Sequence, residues 1–273
     1  MKLFIYLFLL TFFIIGCSKN IPTPQERKAT ALSLGNQYSL KEQIYSTKNF
    51  NIFSLQTDIK KCKNIKVYIE GDGLAWITRN RVSKDPTPIN PLALNLMNTD
   101  SSHCKIYLAR PCQYTHSQQC DKKYWTNHRF SSFVIQSYNE ALNHIKKKYQ
   151  NNTFSLIGYS GGASIALLVA SKRDDIKDII TVAGNINHSF WTKYHRINSL
   201  SGSQNPINYT KQLEKIPQYH LIGSNDTIIP KEIFFSYKDA FNDTDKIEYK
   251  LYDTTHTKGW EKAYIQFLKE QPK

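Results

Sequence analysis

The residues with the clearest chemical potential are Gly158-Tyr159-Ser160-Gly161-Gly162, a G-x-S-x-G motif between two apolar segments. Residues 153–157 (TFSLI) have the character of a buried strand, and residues 163–170 (ASIALLVA) that of a buried helix. A serine at such a strand-to-helix turn lies on a sharp bend, and small neighbours allow strand and helix to pack closely. The context predicts that Ser160 is a nucleophile. The alternative is a structural glycine-rich turn.

A serine hydroxyl is a weak nucleophile that needs a base oriented by a third group. Asp226 follows a strand-like segment at residues 218–222, and His256 follows another at residues 247–252. We assign Asp226 as the acid and His256 as the base, which gives the chain order serine, acid, histidine. Asp253 is an alternative acid, and an Asx-type turn is the structural alternative for Asp226. Three other histidines lie in a long connection or inside a strand-like segment: His188, His195 and His220.

Acyl transfer also needs hydrogen-bond donors for the oxyanion that develops on the attacked carbonyl. The residue after the nucleophile, Gly161, supplies one backbone N–H. The second donor normally comes from a loop after an earlier strand, and residues 66–70 run into Gly71-Asp72-Gly73. Because the two glycines allow the loop to turn its amides inward, we assign the N–H of Asp72 as the second donor. A simple glycine-rich turn is the alternative.

Strand-like and helix-like segments alternate along the chain, which is typical of an α/β fold. The sequence predicts strands at residues 51–56, 66–70, 105–109, 153–157, 178–182, 218–222 and 247–252. It predicts helices at residues 91–97, 132–148, 163–170 and 259–268. The expected architecture is a mostly parallel central sheet with helices on both faces, in which ligands bind at the carboxyl ends of the strands. Residues 185–209 are predicted to form a rim or cap over the site.

The N-terminus has the pattern of an export signal. Lys2 precedes an apolar run at residues 3–16, which is too short to span a bilayer comfortably and ends at Gly16-Cys17. This ending resembles the bacterial lipobox, in which the signal is cleaved before a cysteine that is then acylated. An uncleaved anchor helix is the alternative. Ser18 stands where the retention signal of the inner membrane has aspartate, so the resemblance favours the outer membrane of the bacterial envelope.

The expected domain organisation has three parts. Residues 1–16 form a lipoprotein signal peptide, residues 17–40 carry the lipidated Cys17 and a polar tether, and residues 41–273 form a single domain. Several acyl chains on one cysteine give lasting attachment to a lipid bilayer.

Export also explains the remaining cysteines. An even number of cysteines in an oxidising compartment predicts disulfides, and the four that remain after Cys17 allow three connectivities. We favour Cys112 with Cys120, which closes a short loop. We also favour Cys62 with Cys104, because each precedes a strand-like segment and adjacent strands bring them together. A metal site is the alternative, although spacings of 42, 8 and 8 contain no C-x-x-C pair.

The motifs together make the sequence similar to the bacterial α/β-hydrolase lipoproteins over residues 49–270. The resemblance rests on GYSGG, GSND and the histidine of THTKGW, with GDGLAW in support. Glu70 departs from it, because many relatives have histidine before the first glycine of that loop. The resemblance implies a serine hydrolase, esterase-like, that cleaves an ester, thioester or amide through an acyl-enzyme, with no metal or organic cofactor. The alternative function is a non-catalytic binding lipoprotein on the same scaffold.

Composition excludes several classes of protein. With 17 Tyr, 14 Phe and 4 Trp the chain has too many apolar rings for a disordered protein, and 11 Gly with 10 Pro exclude a collagen-like one. Its net charge is +14, and loss of residues 1–16 removes only Lys2, which leaves +13. The basic residues are scattered and no nucleic-acid recognition motif accompanies them, so we expect no nucleic-acid partner. Contact with an anionic envelope is the favoured role of the charge.

The expected substrate is a small acyl compound. A polar rim at residues 185–209 favours small or soluble substrates over a lipase lid. Aromatic and basic residues near the expected entrance either favour anionic substrates or have packing roles: Trp76, Arg79, Arg81, Tyr124, Trp125 and Arg129. The sequence does not determine the oligomeric state.

Overall fold

The structure is a computed structural model that describes residues 21–271. The proposed signal peptide and Cys17 lie outside the described residues. Within them, eight strands form one sheet and two short strands form a separate ribbon. The strands are β1 (Lys41–Ser46), β2 (Asn51–Gln56), β3 (Asn64–Ile69), β4 (Trp76–Thr78), β5 (Arg81–Val82), β6 (Lys105–Leu108), β7 (Thr153–Tyr159), β8 (Ile176–Val182), β9 (Gln218–Gly223) and β10 (Ile247–Tyr252).

Helices connect most of the strands. The α-helices are α1 (Pro24–Gln37), α2 (Leu92–Thr99), α3 (Ser132–Tyr149), α4 (Gly161–Ala170), α5 (His188–Tyr194), α6 (Thr210–Leu213), α7 (Lys231–Lys238) and α8 (Trp260–Glu270). Short 3-10 helices occupy Lys122–Trp125 and Pro206–Tyr209.

The eight-stranded sheet has the order β1-β2-β6-β3-β7-β8-β9-β10. Strands β6, β3, β7, β8, β9 and β10 pair in parallel, whereas β2 pairs antiparallel with both β1 and β6. The parallel strands are short and mostly buried, as expected for strands covered on both faces. The α/β-hydrolase fold predicted from the sequence is therefore confirmed, and the carboxyl ends of the parallel strands lie at one edge of the sheet.

Alternate residues of the strands enter two hydrophobic cores, one on each face of the sheet. Val67 of β3 packs into the core that includes residues of α3, α4 and α7. Its neighbour Tyr68 packs into the core that includes residues of α1, α2 and α8. Helix α4 is buried on all sides, as its uniformly apolar sequence indicated.

Two disulfides stabilise the body, with the favoured pairing. Cys62 joins Cys104 with a Cα–Cα distance of 6.2 Å, and Cys112 joins Cys120 with a Cα–Cα distance of 5.7 Å. The first bond lies at the amino ends of β3 and β6, which are neighbours in the sheet. Adjacent strands therefore bring these two cysteines together, as the sequence predicted.

The N-terminal part of the body differs from the expected tether. Residues 24–37 form α1, whose first turn has a capping box between Thr23 and Glu26. Arg27 is buried and forms an ion pair with Asp85 at 3.3 Å, so the helix is attached to a loop distant in sequence. A polar tether is thus the wrong description of residues 24–37. Among the helices of residues 21–271, none is long and apolar enough to span a membrane.

Candidate active site

Ser160 lies at the bend between β7 and α4. Its backbone conformation, with φ 50° and ψ −116°, is one that residues other than glycine rarely adopt. Such strain persists only where the surrounding structure enforces it. A Cβ atom on Gly158 would lie 2.5 Å from the Cα of Ala163, and one on Gly162 would collide with the carbonyl oxygen of Ile69. Both glycines therefore allow the close packing of strand and helix that holds Ser160 in its bend.

His256 lies in the loop between β10 and α8 and contacts both predicted partners. Its Nε2 atom is 3.1 Å from Oγ of Ser160, and its Nδ1 atom is 2.8 Å from Oδ2 of Asp226. The ring packs against Tyr159 with centroids 5.4 Å apart. The backbone carbonyl of His256 accepts hydrogen bonds from the Tyr159 hydroxyl at 3.0 Å and from Trp260 Nε1 at 3.1 Å. His256 is thus held by the packing of Tyr159 on its ring and by hydrogen bonds to its backbone carbonyl.

The side chain of Asp226 is fully buried after β9. Its Oδ1 atom accepts hydrogen bonds from the N–H groups of Ile228 at 2.9 Å and Ile229 at 2.8 Å, which leaves Oδ2 for His256. This turn satisfies one carboxylate oxygen while it aims the other at the imidazole. The alternative acid, Asp253, is exposed and instead accepts a hydrogen bond from Asn225 at 2.6 Å.

The three other histidines have separate contacts. His188 is buried with Nε2 3.1 Å from the carbonyl of Gln204, and Nε2 of His195 is 2.9 Å from the carbonyl of Ile228. His220 lies inside β9 with Nδ1 2.7 Å from Oγ1 of Thr181, and burial lowers its pKa to about 3. His220 is therefore neutral at physiological pH.

The predicted oxyanion loop lies beside the nucleophile. A Cβ atom on Gly71 would be 3.3 Å from Cβ of Ser160, and Gly73 has a left-handed backbone with φ 63°. The N–H of Gly71 donates to Oε1 of Glu70 at 2.9 Å. The N–H groups of Asp72 and Gly161 form no hydrogen bond within residues 21–271. These are the two donors that the sequence predicted for the oxyanion.

Glu70 forms the floor of this loop. Burial raises its pKa to about 7, although hydrogen bonds from the Gly71 N–H and the Tyr107 hydroxyl favour the ionised form. The Tyr107 hydroxyl lies 3.1 Å from Oε2. Where the resemblance has histidine, this chain therefore has a buried carboxyl group whose pKa lies close to neutral pH.

Two residues near the loop were missed by the sequence analysis: Arg110 and Gln113. Nη1 of Arg110 lies 2.7 Å from Oδ1 of Asp72, and the side chain of Gln113 donates to the Gly71 carbonyl at 3.0 Å. They follow β6, whose end contributes no recognised motif. Their position after the carboxyl end of a parallel strand is the only sequence signal that points to them.

The expected entrance residues have mixed positions. Arg129 is buried and forms an ion pair with Asp72. Trp125 is buried and donates to the Ser83 carbonyl at 3.2 Å, which is a packing role. Three of them are exposed on the ribbon of β4 and β5: Trp76, Arg79 and Arg81. The ring of Tyr124 packs against the ring of Phe50 with centroids 4.8 Å apart. The rim at residues 185–209 exposes two large aromatic side chains, Phe190 and Tyr194, so it is less polar than its sequence suggested.

Similarity to solved structures agrees with the observed architecture. An esterase from Pyrococcus furiosus is 16% identical, has a TM-score of 0.59, and aligns over 92% of this chain and 94% of its own. A serine hydrolase homologue from Coxiella burnetii is 13% identical, has a TM-score of 0.55, and aligns over 84% of this chain and 94% of its own. At these identities the likeness shows the α/β-hydrolase fold.

Sequence comparison gives the family. No curated protein matches the sequence. A family model described as serine hydrolase (FSH1) matches residues 86–257, which is more than half of the chain. The matched range includes Ser160, Asp226 and His256 and begins after the Gly71-Asp72-Gly73 loop. The chain therefore belongs to the FSH1 serine hydrolase family and is a serine hydrolase of the α/β-hydrolase type.

Proposed function

We propose that the protein is a membrane-anchored hydrolase that cleaves a carboxylic ester through an acyl-enzyme, with Ser160, His256 and Asp226 as its catalytic triad. The observation that carries this proposal is the continuous chain of contacts from Asp226 through His256 to Ser160, with distances of 2.8 Å and 3.1 Å. These distances are within hydrogen-bond reach, as a nucleophile, its base and an orienting acid require.

In the proposed reaction, Oγ of Ser160 attacks the carbonyl carbon of the ester while Nε2 of His256 takes the hydroxyl proton. The carboxylate of Asp226 accepts the Nδ1–H of His256 and stabilises the imidazolium. The N–H groups of Gly161 and Asp72 donate to the oxyanion. The alkoxide leaving group then departs with the proton from Nε2, and an acyl-enzyme remains on Ser160.

In the second half of the reaction, His256 takes a proton from water, and the resulting hydroxide attacks the acyl-enzyme. The tetrahedral intermediate collapses, Ser160 recovers its proton from His256, and the carboxylic acid is released. The same three side chains serve both halves.

Labelling with a fluorophosphonate probe tests the nucleophile. We expect the wild-type protein to be labelled and Ser160→Ala to be unlabelled. Ser224→Ala is a matched control, because Ser224 is an exposed serine near the same end of the sheet, and it should be labelled like the wild type. An unlabelled wild type, or equal labelling of Ser160→Ala, would reject the catalytic triad and favour a binding lipoprotein on this scaffold.

Attachment to the bilayer is proposed to occur through acylated Cys17. Six residues lie between Cys17 and Pro24, so the seven residue steps reach at most about 25 Å. The guanidinium of Arg27, in the first part of α1, donates hydrogen bonds to the backbone carbonyls of Asp85 and Thr87. Between these two residues, the carbonyl of Pro86 accepts a hydrogen bond from the N–H of Leu74, which follows the oxyanion loop. The start of α1 therefore lies toward the active-site side of the body, which supports a substrate encountered near the membrane.

Fractionation tests the anchor. The wild-type chain should remain in the outer-membrane fraction after a high-salt wash, whereas Cys17→Ser should not be acylated and should leave that fraction. Acylation of Cys17→Ser equal to that of the wild type would contradict lipidation at Cys17.

The substrate is proposed to be a small acyl ester. Comparison of ester chain lengths, thioesters and amides in purified protein tests this class. A preference for long acyl chains would contradict it and would direct attention to the exposed aromatic rim at Phe190 and Tyr194.

A further inference from the structure

The side chain of Asp72, in the oxyanion loop, is bound by two arginines. Nη1 of Arg110 lies 2.7 Å from Oδ1, and Nη1 of Arg129 contacts Oδ2. Arg110 is 4% exposed and Arg129 is 6% exposed, so both guanidinium groups are almost fully removed from water. Charge-assisted hydrogen bonds of this kind are stronger and more directional than neutral ones. Each oxygen of the Asp72 carboxylate therefore has its own arginine.

The two arginines are also joined to each other and to the neighbouring chain. Nη2 of Arg110 donates to the backbone carbonyl of Arg129, and Nε of Arg129 donates to the carbonyl of Thr126 at 2.6 Å. The guanidinium of Arg110 lies 5.4 Å from the ring centroid of Phe130. Their positions are thus determined by contacts other than Asp72, so the arginines position the carboxylate rather than follow it.

Gln113 connects the same segment to the backbone of the loop. Its side-chain oxygen accepts from the N–H of Arg110 at 3.0 Å, and its amide nitrogen donates to the carbonyls of Gly71 at 3.0 Å and Pro86 at 3.3 Å. Gln113 is fully buried. The peptide unit between Gly71 and Asp72 is therefore held through its carbonyl by Gln113, and its N–H belongs to Asp72.

The Asp72 carboxylate lies against the other oxyanion donor. A Cβ atom on Gly161 would collide with Oδ1 of Asp72 and would lie 3.1 Å from Nη1 of Arg110. A bare carboxylate at this position would repel an oxyanion that forms at the N–H of Gly161. Burial by itself raises the pKa of Asp72, but the charges of Arg129 and Arg110 outweigh it and lower the pKa below its usual value. Asp72 is therefore ionised and shares one negative charge between two positive ones.

We propose that Arg110, Arg129 and Gln113 are positioning residues that hold the Asp72 N–H in place and cancel the carboxylate charge beside the oxyanion. This inference rests on the proposed function and deepens it, since it assigns the support of the oxyanion loop to the segment after β6. The group of two arginines and one carboxylate carries one excess positive charge, which also favours the negative charge of the transition state over the neutral ester.

Steady-state kinetics with a neutral ester, such as p-nitrophenyl butyrate, tests the proposal. Arg110→Met and Arg129→Met each expose part of the carboxylate, and we expect kcat to fall roughly 10- to 100-fold with KM changed less than about 3-fold. Arg129→Lys keeps the charge without the planar fork and should recover part of the lost kcat.

Arg173→Met is the matched control. Arg173 also forms a buried ion pair, with Asp175 at 2.7 Å, but it lies beyond the carboxyl end of α4, away from Ser160. We expect this variant to unfold at a lower urea concentration than the wild type. Its kcat should stay within about 2-fold of the wild type, because this ion pair contacts neither Ser160 nor the oxyanion loop. A fall in kcat as large as that of Arg129→Met would show that loss of any buried ion pair has this effect, and would overturn the proposal.

A double-mutant cycle separates action through Asp72 from direct contact with substrate. If Arg129 acts by restraining and neutralising Asp72, then Arg129→Met should reduce kcat much less in an Asp72→Asn background than in the wild type. Equal reductions in both backgrounds would overturn the proposal. So would an effect confined to the KM of anionic esters, because that pattern belongs to an arginine that binds a charged substrate.

The same measurements distinguish this inference from the proposed function. A wild-type protein that hydrolyses the ester and reacts with the fluorophosphonate, while both arginine variants keep full kcat, would reject the positioning role alone. A wild-type protein that does neither would reject the catalytic triad and the positioning role with it.

Discussion

Removal of one disulfide at a time should show that Cys62–Cys104 contributes more to stability and Cys112–Cys120 contributes more to activity. In the chain-entropy treatment, the stabilisation by a disulfide increases with the logarithm of the length of the loop that it closes. The sequence separations are 42 for Cys62–Cys104 and 8 for Cys112–Cys120, which correspond to about 4 and about 2.5 kcal/mol at 25 °C. The Cys62→Ser/Cys104→Ser variant should therefore be the less stable of the two.

The order of the effects on activity should be the reverse. Cys62 and Cys104 lie at the amino ends of β3 and β6, at the edge opposite Ser160. Cys112 precedes Gln113 and has a left-handed backbone with φ 68°, a conformation that costs about 1–2 kcal/mol for a residue other than glycine. Without its disulfide this residue can relax and move Gln113 away from the Gly71 carbonyl, so kcat of Cys112→Ser/Cys120→Ser should fall roughly 10-fold.

Urea unfolding followed by tryptophan fluorescence measures the free energy of unfolding, and ester hydrolysis measures kcat. Each double variant is the control for the other, because each retains one disulfide. The reasoning is refuted if the Cys112→Ser/Cys120→Ser variant keeps the kcat of the wild type, or if it is the one that loses more stability.

Three further outcomes are expected. Gly158→Ala places a methyl group against backbone atoms of α4 and should cost about 3 kcal/mol of stability, whereas Gly35→Ala meets only side-chain atoms, of Leu55 and Leu40, and should be nearly neutral in thermal unfolding. Asp226→Asn should lower kcat by about 10⁴ in ester hydrolysis and Asp253→Asn by less than about 3-fold, and the opposite order would identify Asp253 as the acid. The stability of Glu70→Gln should rise more steeply with pH than that of the wild type between about pH 4.5 and 6.5, as measured by urea unfolding at several pH values.

The last expectation depends on two buried groups whose pKa values are shifted in opposite directions, Glu70 and His220. His220 has its pKa lowered to about 3, so the unfolded chain binds its proton first and stability falls as pH drops below about 6.5. Glu70 has its pKa raised to about 7, so the folded chain keeps its proton and stability falls as pH rises from about 4.5 towards 7. The two trends oppose each other in the wild type. Of these two trends, glutamine at position 70 leaves only that of His220, which amounts to up to about 1.4 kcal/mol per pH unit. Parallel pH profiles of the variant and the wild type would contradict this account.

Local patterns were sufficient to predict Ser160, Asp226 and His256 as candidate reacting groups, which the structure brings within hydrogen-bond distance of one another. The bend at Ser160 needs small residues at two neighbouring positions, and this requirement is visible in the sequence as Gly158 and Gly162. Asp226 and His256 could be assigned because each follows a strand, and the carboxyl ends of parallel strands meet at one edge. The disulfide between Cys62 and Cys104 followed from the same reasoning applied to the opposite edge of the sheet.

Contacts between segments that are distant in the sequence and carry no recognisable motif could not be predicted from local patterns. Helix α1 has no apolar stripe, and the ion pair of Arg27 with Asp85 that attaches it to the body has no local signal in the sequence. Arg110 and Arg129 reach Asp72 across separations of 38 and 57 residues, by way of loops whose course only the packed sheet determines. The sequence by itself determined most of the central strands, the helices that pack between them and the candidate residues Ser160, Asp226 and His256, because those depend on local periodicity and backbone sterics. Only the tertiary structure decided what surrounds the oxyanion loop, because the charge balance there depends on which loops the fold brings together.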